Sequence, residues 1–163
     1  MPSPLVSVVM GSESDMPVMK RCIEALQMFG VELEVRILSA HRMPDETVSF
    51  SKGLEKRGVK VVIAGAGGAA HLPGVIAAHT TLPVVGIPLS STPLQGIDAL
   101  YSIVQMPSGV PVACMGIGES GAFNAAIFAL EIISCYQESL GEKLKDYRKK
   151  LAFREKSYEK NKN

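Results

Sequence analysis

Short apolar runs alternate with segments of helical periodicity along most of the 163-residue chain. The runs are rich in β-branched residues and predict five strands, at residues 5–10, 32–38, 60–65, 83–88 and 110–115. As a set they are apolar rather than alternating, which is typical of strands that are covered on both faces. The pattern therefore predicts a parallel sheet between two layers of helix.

Each predicted strand leads into a helical segment. After the first strand, apolar positions recur at the spacing of one helix face, at Met19, Cys22, Ile23 and Leu26. Further helices are predicted at residues 44–57, 75–79, 100–104 and 122–140, before a charged tail. Fivefold alternation of strand and helix predicts an α/β fold with helices on both faces of the sheet. No repeat or linker interrupts it, so one domain is predicted over 1–163, with a core at about 5–140 and a helical tail at about 141–163.

Composition narrows the classes of function. Hydrophobic residues make up 47% of the chain and the formal net charge is +1, so we expect neither disorder nor a nucleic-acid partner. No apolar run reaches transmembrane length and no secretory signal is visible, so we expect no membrane partner. Cys22, Cys114 and Cys135 are far apart in apolar surroundings, which predicts buried, reduced thiols in a cytoplasmic protein.

The predicted long helix at 122–140 is apolar nearly all round, although an outer helix needs only one apolar stripe. The extra face predicts an oligomer in which another subunit covers it. The alternative is that the tail helix of the same chain covers it. Apolar tail residues fall close to a heptad seam, at Leu144, Tyr147, Leu151 and Tyr158, and favour packing of the tail across subunits.

The loops after the first three strands carry the candidate chemistry, because the carboxyl ends of parallel strands meet at one edge of a sheet. The first loop, residues 11–15, has the sequence GSESD and opens a helix, where free amides and the helix dipole favour a phosphate. Asp15 does not suit a phosphate. It either binds another group, such as a sugar hydroxyl, or only caps the helix.

The second loop, residues 39–44, has the sequence SAHRMP. His41 is suited to proton transfer near neutral pH, and Arg42 to clamping a phosphate. The alternative is a polar turn with His41 on the surface. The third loop, residues 66–74, opens with five small residues in a row, which lets a planar ligand lie against the backbone. His71 either adds a polar group there or has a structural role, in which it caps the next helix or bonds a backbone carbonyl. His79 is interpreted as structural or interfacial.

Several chemistries lack their sequence signatures. The chain has no GxxxxGK[ST], no GxGxxG after the first strand and no nucleophile elbow. His41, His71 and His79 show no short ligand spacing with cysteines or carboxylates, so no metal site is predicted. The remaining chemistry is proton transfer by one histidine on a phosphate-anchored substrate.

Four motifs closely resemble the N5-carboxyaminoimidazole ribonucleotide mutases of bacterial purine synthesis. They are GSESD at 11–15, SAHRMP at 39–44, AGAGGAAHLPG at 64–74 and LYSIVQMPSGVPV at 100–112, and the resemblance covers about residues 5–140. It implies a three-layer flavodoxin-like fold and a homo-octamer. It also implies transfer of a carboxylate from the exocyclic nitrogen of the substrate to ring carbon C4, with no metal and no organic cofactor.

The resemblance implies roles for individual residues. His41 matches the catalytic histidine, which would act first as an acid and then as a base while CO2 is released and recaptured. The expected substrate-binding residues are Ser12, Ser14, Asp15, Ser39, Arg42, Gly67, Ala69, His71 and Leu72. Two alternatives remain open: a sister class that carboxylates aminoimidazole ribonucleotide directly with CO2, from which the third loop differs, and a non-catalytic module that binds FMN or a ribotide.

Overall fold

The computed structural model describes residues 3–160, and the side chains of residues 3–153. Five strands form one sheet: β1 (Val6–Met10), β2 (Leu33–Ile37), β3 (Val61–Gly67), β4 (Val84–Leu89) and β5 (Ala113–Cys114). The strand order is β2-β1-β3-β4-β5, and every neighbouring pair is parallel. The predicted five-stranded parallel sheet is therefore confirmed.

Six α-helices connect and extend the strands within the described residues: α1 (Met16–Met28), α2 (Pro44–Lys52), α3 (Leu72–Ala77), α4 (Ile97–Val104), α5 (Glu119–Ser134) and α6 (Glu138–Lys160). α1 and α5 pack with one face of the sheet, where Val8 and Ile63 are buried. α3 and α4 pack with the other face, where Val9 and Val62 are buried. Helices thus cover both faces, and the three-layer flavodoxin-like α/β architecture is confirmed.

The strands differ in how far they are covered. All residues of β1 and β4 are buried, because these strands lie inside the sheet between two helical layers. β2 lies at an edge, and its Val35 and Ile37 are 36% and 44% exposed. The expectation of covered faces for all five strands is wrong for β2, whose charged and apolar residues alternate.

Several predicted boundaries shift. The predicted helix at 44–57 ends at Lys52, and a short 3₁₀ turn at Glu55–Arg57 follows it. α3 and α4 begin three residues earlier than predicted, at Leu72 and Ile97. Of the fifth predicted strand, only residues 113 and 114 pair with β4, so this edge strand is shorter than predicted.

The predicted helix at 122–140 is two helices, since α5 ends at Ser134 and α6 begins at Glu138. The chain turns back there, so Leu140 and Leu144 are buried against the core that α1 and α5 share. Tyr147 contacts the rings of Phe29 and Phe123. The tail therefore covers part of the apolar face of α5 within the same chain, and Tyr158 lies outside the described side chains.

The cysteines differ in exposure. Cys22 is buried, which raises the pKa of its thiol to about 12 and leaves it unreactive. Cys114 is half-buried and Cys135 is exposed, so the prediction of buried thiols is wrong for Cys135, which lies in the turn between α5 and α6. All three are free thiols. Among the described helices, none has the length and apolar character needed to cross a membrane.

Candidate active site

A cavity of about 350 Å³ opens at the edge of the sheet where the parallel strands end. Loops that follow β1, β2, β3 and β4 surround it. The structure brings all ten predicted site residues to this one cavity: Ser12, Ser14, Asp15, Ser39, His41, Arg42, Gly67, Ala69, His71 and Leu72. The chemistry of the cavity then depends on how each loop holds its side chains.

The first loop is ordered by a reciprocal cap. Ser12 is the N-cap of a 3₁₀ turn, and its Oγ accepts hydrogen bonds from the backbone N–H of Ser14 at 3.3 Å and from the Ser14 hydroxyl at 2.9 Å. The Asp15 carboxylate accepts the backbone N–H of Ser12 at 3.0 Å. Asp15 therefore completes the cap of this turn and also lines the cavity. It occupies the N-cap position of α1 but makes no side-chain capping hydrogen bond there, so the interpretation that it caps this helix is wrong.

Partial burial changes the acidity of Asp15. Desolvation raises the pKa of its carboxyl above the usual value, while backbone hydrogen bonds from Ser12 and Gly11 and the charge of Arg42 oppose that rise. A carboxylate in such surroundings gains from a hydrogen-bond donor that enters the cavity, because the donor replaces lost water. A ligand hydroxyl is a donor of that kind.

Arg42 joins the first two loops. Its Nε donates to Ser39 Oγ at 3.2 Å, and one terminal nitrogen donates to the Gly11 carbonyl at 3.0 Å. The backbone N–H of Arg42 also donates to Ser39 Oγ, at 3.3 Å. Two of the five guanidinium N–H donors are used in this way, and within the described part of the chain three remain for an anion.

The second and third loops meet through two histidines. His41 Nε2 and His71 Nδ1 lie 2.7 Å apart, and the ring centroids are 4.9 Å apart at an interplanar angle of 88°. His71 occupies the N-cap position of α3, but its side chain makes no capping hydrogen bond. The capping interpretation of His71 is therefore wrong, because its ring turns toward His41 instead.

The third loop supplies space. A Cβ atom added to Gly67 would lie 1.9 Å from Ser91 Oγ, so a larger residue does not fit there unless the Ser91 side chain shifts. Gly68 has a φ of +61°, a left-handed conformation that favours glycine. Ala66, Gly67 and Ala69 line the cavity, so this wall presents only backbone and small side chains.

Four further residues line the cavity: Gly11, Ala40, Ala66 and Ser91. Ser91 comes from a fourth loop, residues 90–96, after β4. The rule that places the first three loops at one edge of the sheet applies equally to this loop. That rule could have predicted from the sequence that Ser91 lies near the cavity. His79 lies just beyond α3 and does not line the cavity. Across the described residues, no three His, Cys, Asp or Glu side chains form a group that could hold a metal ion.

Comparisons with known proteins point to one family. The sequence model of a protein family described as AIR carboxylase matches residues 5–154. The chain is 52% identical over 148 residues to the N5-carboxyaminoimidazole ribonucleotide mutase of Pyrococcus abyssi, covering 91% of this chain and 84% of that protein. It is 51% identical over 145 residues to the mutase of the same name from Bacillus subtilis, covering 89% and 90%.

Solved structures share the architecture. The PurE crystal structure from Treponema denticola matches with a TM-score of 0.83 and 32% identity, over 93% of both chains. A PurE2 variant from the same organism matches with a TM-score of 0.88 and 30% identity, over 98% of both chains. The fold therefore has counterparts of known structure over nearly the whole chain.

Proposed function

The chain belongs to the AIR carboxylase family, and from that membership we propose that it is an N5-carboxyaminoimidazole ribonucleotide mutase. The enzyme is an isomerase that moves the carboxylate of its substrate from the exocyclic nitrogen to ring carbon C4. The product is 4-carboxy-5-aminoimidazole ribonucleotide, an intermediate of purine biosynthesis. Relatives that are about half identical over some nine-tenths of the chain carry this assignment.

One observation of the structure supports the chemistry: an imidazole and a guanidinium share a cavity with the amides of a capped turn. Arg42 would bind the substrate phosphate through its remaining donors, with the first-loop amides beside it. Asp15 would accept a ribose hydroxyl. Ser12, Ser14 and Ser39 would complete the polar lining, and Gly67, Ala69, His71 and Leu72 the opposite wall.

The proton steps are assigned to His41. Protonated His41 donates to the exocyclic nitrogen as the nitrogen–carbon bond breaks and CO2 leaves. The electron-rich ring carbon C4 then attacks that CO2 and forms the new carbon–carbon bond. His41, now neutral, removes the C4 proton and restores the aromatic ring. One group returns to its starting state, so the cycle needs no second acid or base and no metal or organic cofactor.

The third loop is assigned the capture of CO2. A released CO2 held against the ring is recaptured faster than it escapes, because proximity replaces a bimolecular encounter. The small residues Ala66, Gly67 and Ala69 line the same cavity as His41, which leaves room for a small planar molecule. Larger residues there would fill the space that recapture requires.

A paired assay tests the function. Pure, EDTA-treated protein is given N5-carboxyaminoimidazole ribonucleotide without bicarbonate, and separately aminoimidazole ribonucleotide with bicarbonate. A mutase forms product in the first mixture and acts in the second only at high bicarbonate. Strong activity at low bicarbonate in the second mixture alone would identify a direct carboxylase. Flavin absorbance in the purified protein would instead point to an FMN-binding module.

We propose in addition that the enzyme is a cytoplasmic homo-octamer without nucleic-acid or membrane partners. Free cysteines and a net charge of +1 support these assignments. An apolar stripe on and before α4 supports self-association, since four side chains there are 46–64% exposed: Leu94, Ile97, Tyr101 and Val104. Light scattering behind a sizing column measures the mass, and a monomer at assay concentration would contradict the octamer.

A further inference from the structure

The contact between His41 and His71 restricts which protons the two rings carry. A neutral imidazole has one N–H and one lone pair, and a hydrogen bond needs one of each. At 2.7 Å between His41 Nε2 and His71 Nδ1, one of these two nitrogens carries a proton and the other does not. The contact therefore couples the tautomer of one ring to that of the other.

We propose that His71 is a positioning residue that holds the proton of His41 on Nε2, so that Nδ1 of His41 is the nitrogen that exchanges a proton with the substrate. This rests on the proposed function, which gives His41 the proton transfers. A base requires a lone pair on the nitrogen that faces the reaction. Because Nε2 is engaged with His71, Nδ1 has that lone pair only when Nε2 carries the N–H.

The same contact limits the pair to one added proton. In the singly protonated pair, His41 carries both N–H groups and donates one of them to His71 Nδ1. A second proton would place N–H against N–H at 2.7 Å, which breaks the contact. A doubly protonated pair is therefore incompatible with the contact, and the proton on one ring depends on the state of the other.

The neighbouring charges act on the pair from two sides. Arg42, next to His41 in the cavity, opposes a second proton, and Asp15 favours one. Asp45 and Glu46 lie in the first turn of α2, which follows His41, and α3 has no acidic residue in its first turn beside His71. The proposed function requires the single added proton to lie on His41, because His41 is the acid of the first step.

The singly protonated pair suits both steps of the reaction. The Nδ1–H of His41 passes to the exocyclic nitrogen when CO2 leaves, and the electron pair of the broken bond stays on that nitrogen. The Nδ1 lone pair then receives the C4 proton, so no proton is gained or lost over the cycle. His71 keeps Nε2 occupied throughout, and the reactive nitrogen does not change between the two steps.

The tautomer is read directly by NMR of the ring nitrogens in the intact protein, prepared with isotope-labelled histidine. With three histidines in the chain, His41→Asn, His71→Phe and His79→Gln assign the signals. We expect neutral His41 to carry its proton on Nε2, because Nε2 donates to His71 Nδ1. His79→Gln leaves this tautomer unchanged, because His79 lies outside the cavity.

Two variants separate positioning from mere packing. His71→Phe removes the acceptor and His71→Gln keeps one that does not titrate. His71 is exposed, so both substitutions preserve the fold. In His71→Phe we expect His41 to lose its tautomer preference and KM to change little. We expect kcat to fall about 10- to 100-fold, by analogy with the loss of partners that orient metal-bound histidines. His71→Gln restores the tautomer and most of kcat.

Each outcome decides the proposal. A wild-type His41 with its proton on Nδ1, or an unchanged His41 signal and pH profile in His71→Phe, would overturn it. Because the tautomer is measured without substrate, a failure of the proposed function can be distinguished from a failure of the proposal about His71. If His41→Asn keeps full mutase turnover while the wild-type tautomer is as expected, the assignment of His41 as the acid and base fails and the histidine contact stands.

Discussion

The second and third loops meet at the cavity and contribute to it in opposite ways. The second loop presents charge and titratable groups, with Arg42 hydrogen-bonded to Ser39 and to the first loop, and His41 beside it. The third loop presents backbone and small side chains around Gly67, and its one titratable side chain, His71, bonds back to the second loop. One loop supplies chemistry and the other supplies room for it.

This difference has a practical consequence for mutagenesis. Shortening a side chain of the second loop removes an interaction and leaves the shape of the cavity nearly intact. Lengthening a side chain of the third loop leaves the reactive groups in place and changes the shape. Variants of the second loop should therefore lose turnover or affinity because an interaction is missing. Variants of the third loop should lose activity because a larger side chain changes the shape of the cavity.

The largest effect is expected for His41→Asn. Removal of the acid and base should lower kcat by about 10²–10⁴-fold, while substrate binding stays within a few-fold of wild type. Single-turnover kinetics and a direct binding titration separate the two quantities. His79→Asn, outside the cavity, is the matched control and should retain full activity. A His41→Asn enzyme with more than about a hundredth of the wild-type kcat would contradict the proton role.

Arg42→Ala should act mainly on affinity. Hydrogen bonds to charged groups contribute about 1.5–3 kcal/mol each, so loss of the phosphate clamp should weaken binding by at least about tenfold. The effect on kcat at saturating substrate should be smaller. Arg36→Ala is the control, since Arg36 lies on the edge strand and pairs with Glu34 away from the cavity. Unchanged substrate affinity in Arg42→Ala would refute the clamp.

In the sequence, the second loop stood out by its hydroxyl, imidazole and guanidinium side chains. The third loop stood out by its run of residues with small side chains or none. The rule that parallel strands share an edge brought the first three loops together, and the family resemblance specified ten residues in them that line one cavity. The contact between His41 and His71 could not be predicted, because it joins positions 30 residues apart whose side-chain directions depend on packing. Ser91 was missed for another reason: its loop carries no motif of its own and approaches only because Gly67 lacks a side chain.

The helices show the same limit. The apolar pattern at 122–140 continues across the turn at Cys135, and periodicity alone does not reveal that the chain reverses there. Leu140 and Leu144 look like a continuation of the helix or of a seam with another subunit, but they fold back on the core of the same chain. A pattern shows that a face must be covered, and the tertiary structure decides what covers it.

Gly67→Ala tests the third loop by adding a single carbon. The new Cβ would lie 1.9 Å from Ser91 Oγ, so the Ser91 side chain must shift. Overpacking of this size costs about 1–3 kcal/mol, and we expect a fall of about tenfold in kcat/KM together with a lower melting temperature. Adding Ser91→Gly should recover most of both. Gly141→Ala in α6 is the control, because its Cβ would meet Ser134 at an ordinary 3.9 Å.

The smallest change in stability is expected for Asp15→Asn. Asp15 lies in the first loop, where one side chain both caps a turn and faces the cavity. Burial raises the pKa of Asp15 in the folded protein, so the folded state binds this proton more readily than the unfolded state. Stability from this group is therefore present at low pH and is lost as pH rises through the folded pKa.

An amide still accepts the Ser12 N–H but carries no charge, so Asp15→Asn should be slightly more stable than wild type at neutral pH and lose that part of the pH dependence. Its affinity for the ribonucleotide should fall, because a carboxylate accepts a hydroxyl hydrogen bond more strongly than an amide. Thermal unfolding at acidic and neutral pH measures the first effect, with exposed Asp146→Asn as the control. Lower stability at neutral pH would mean that the cap, rather than the cost of burying charge, dominates at Asp15.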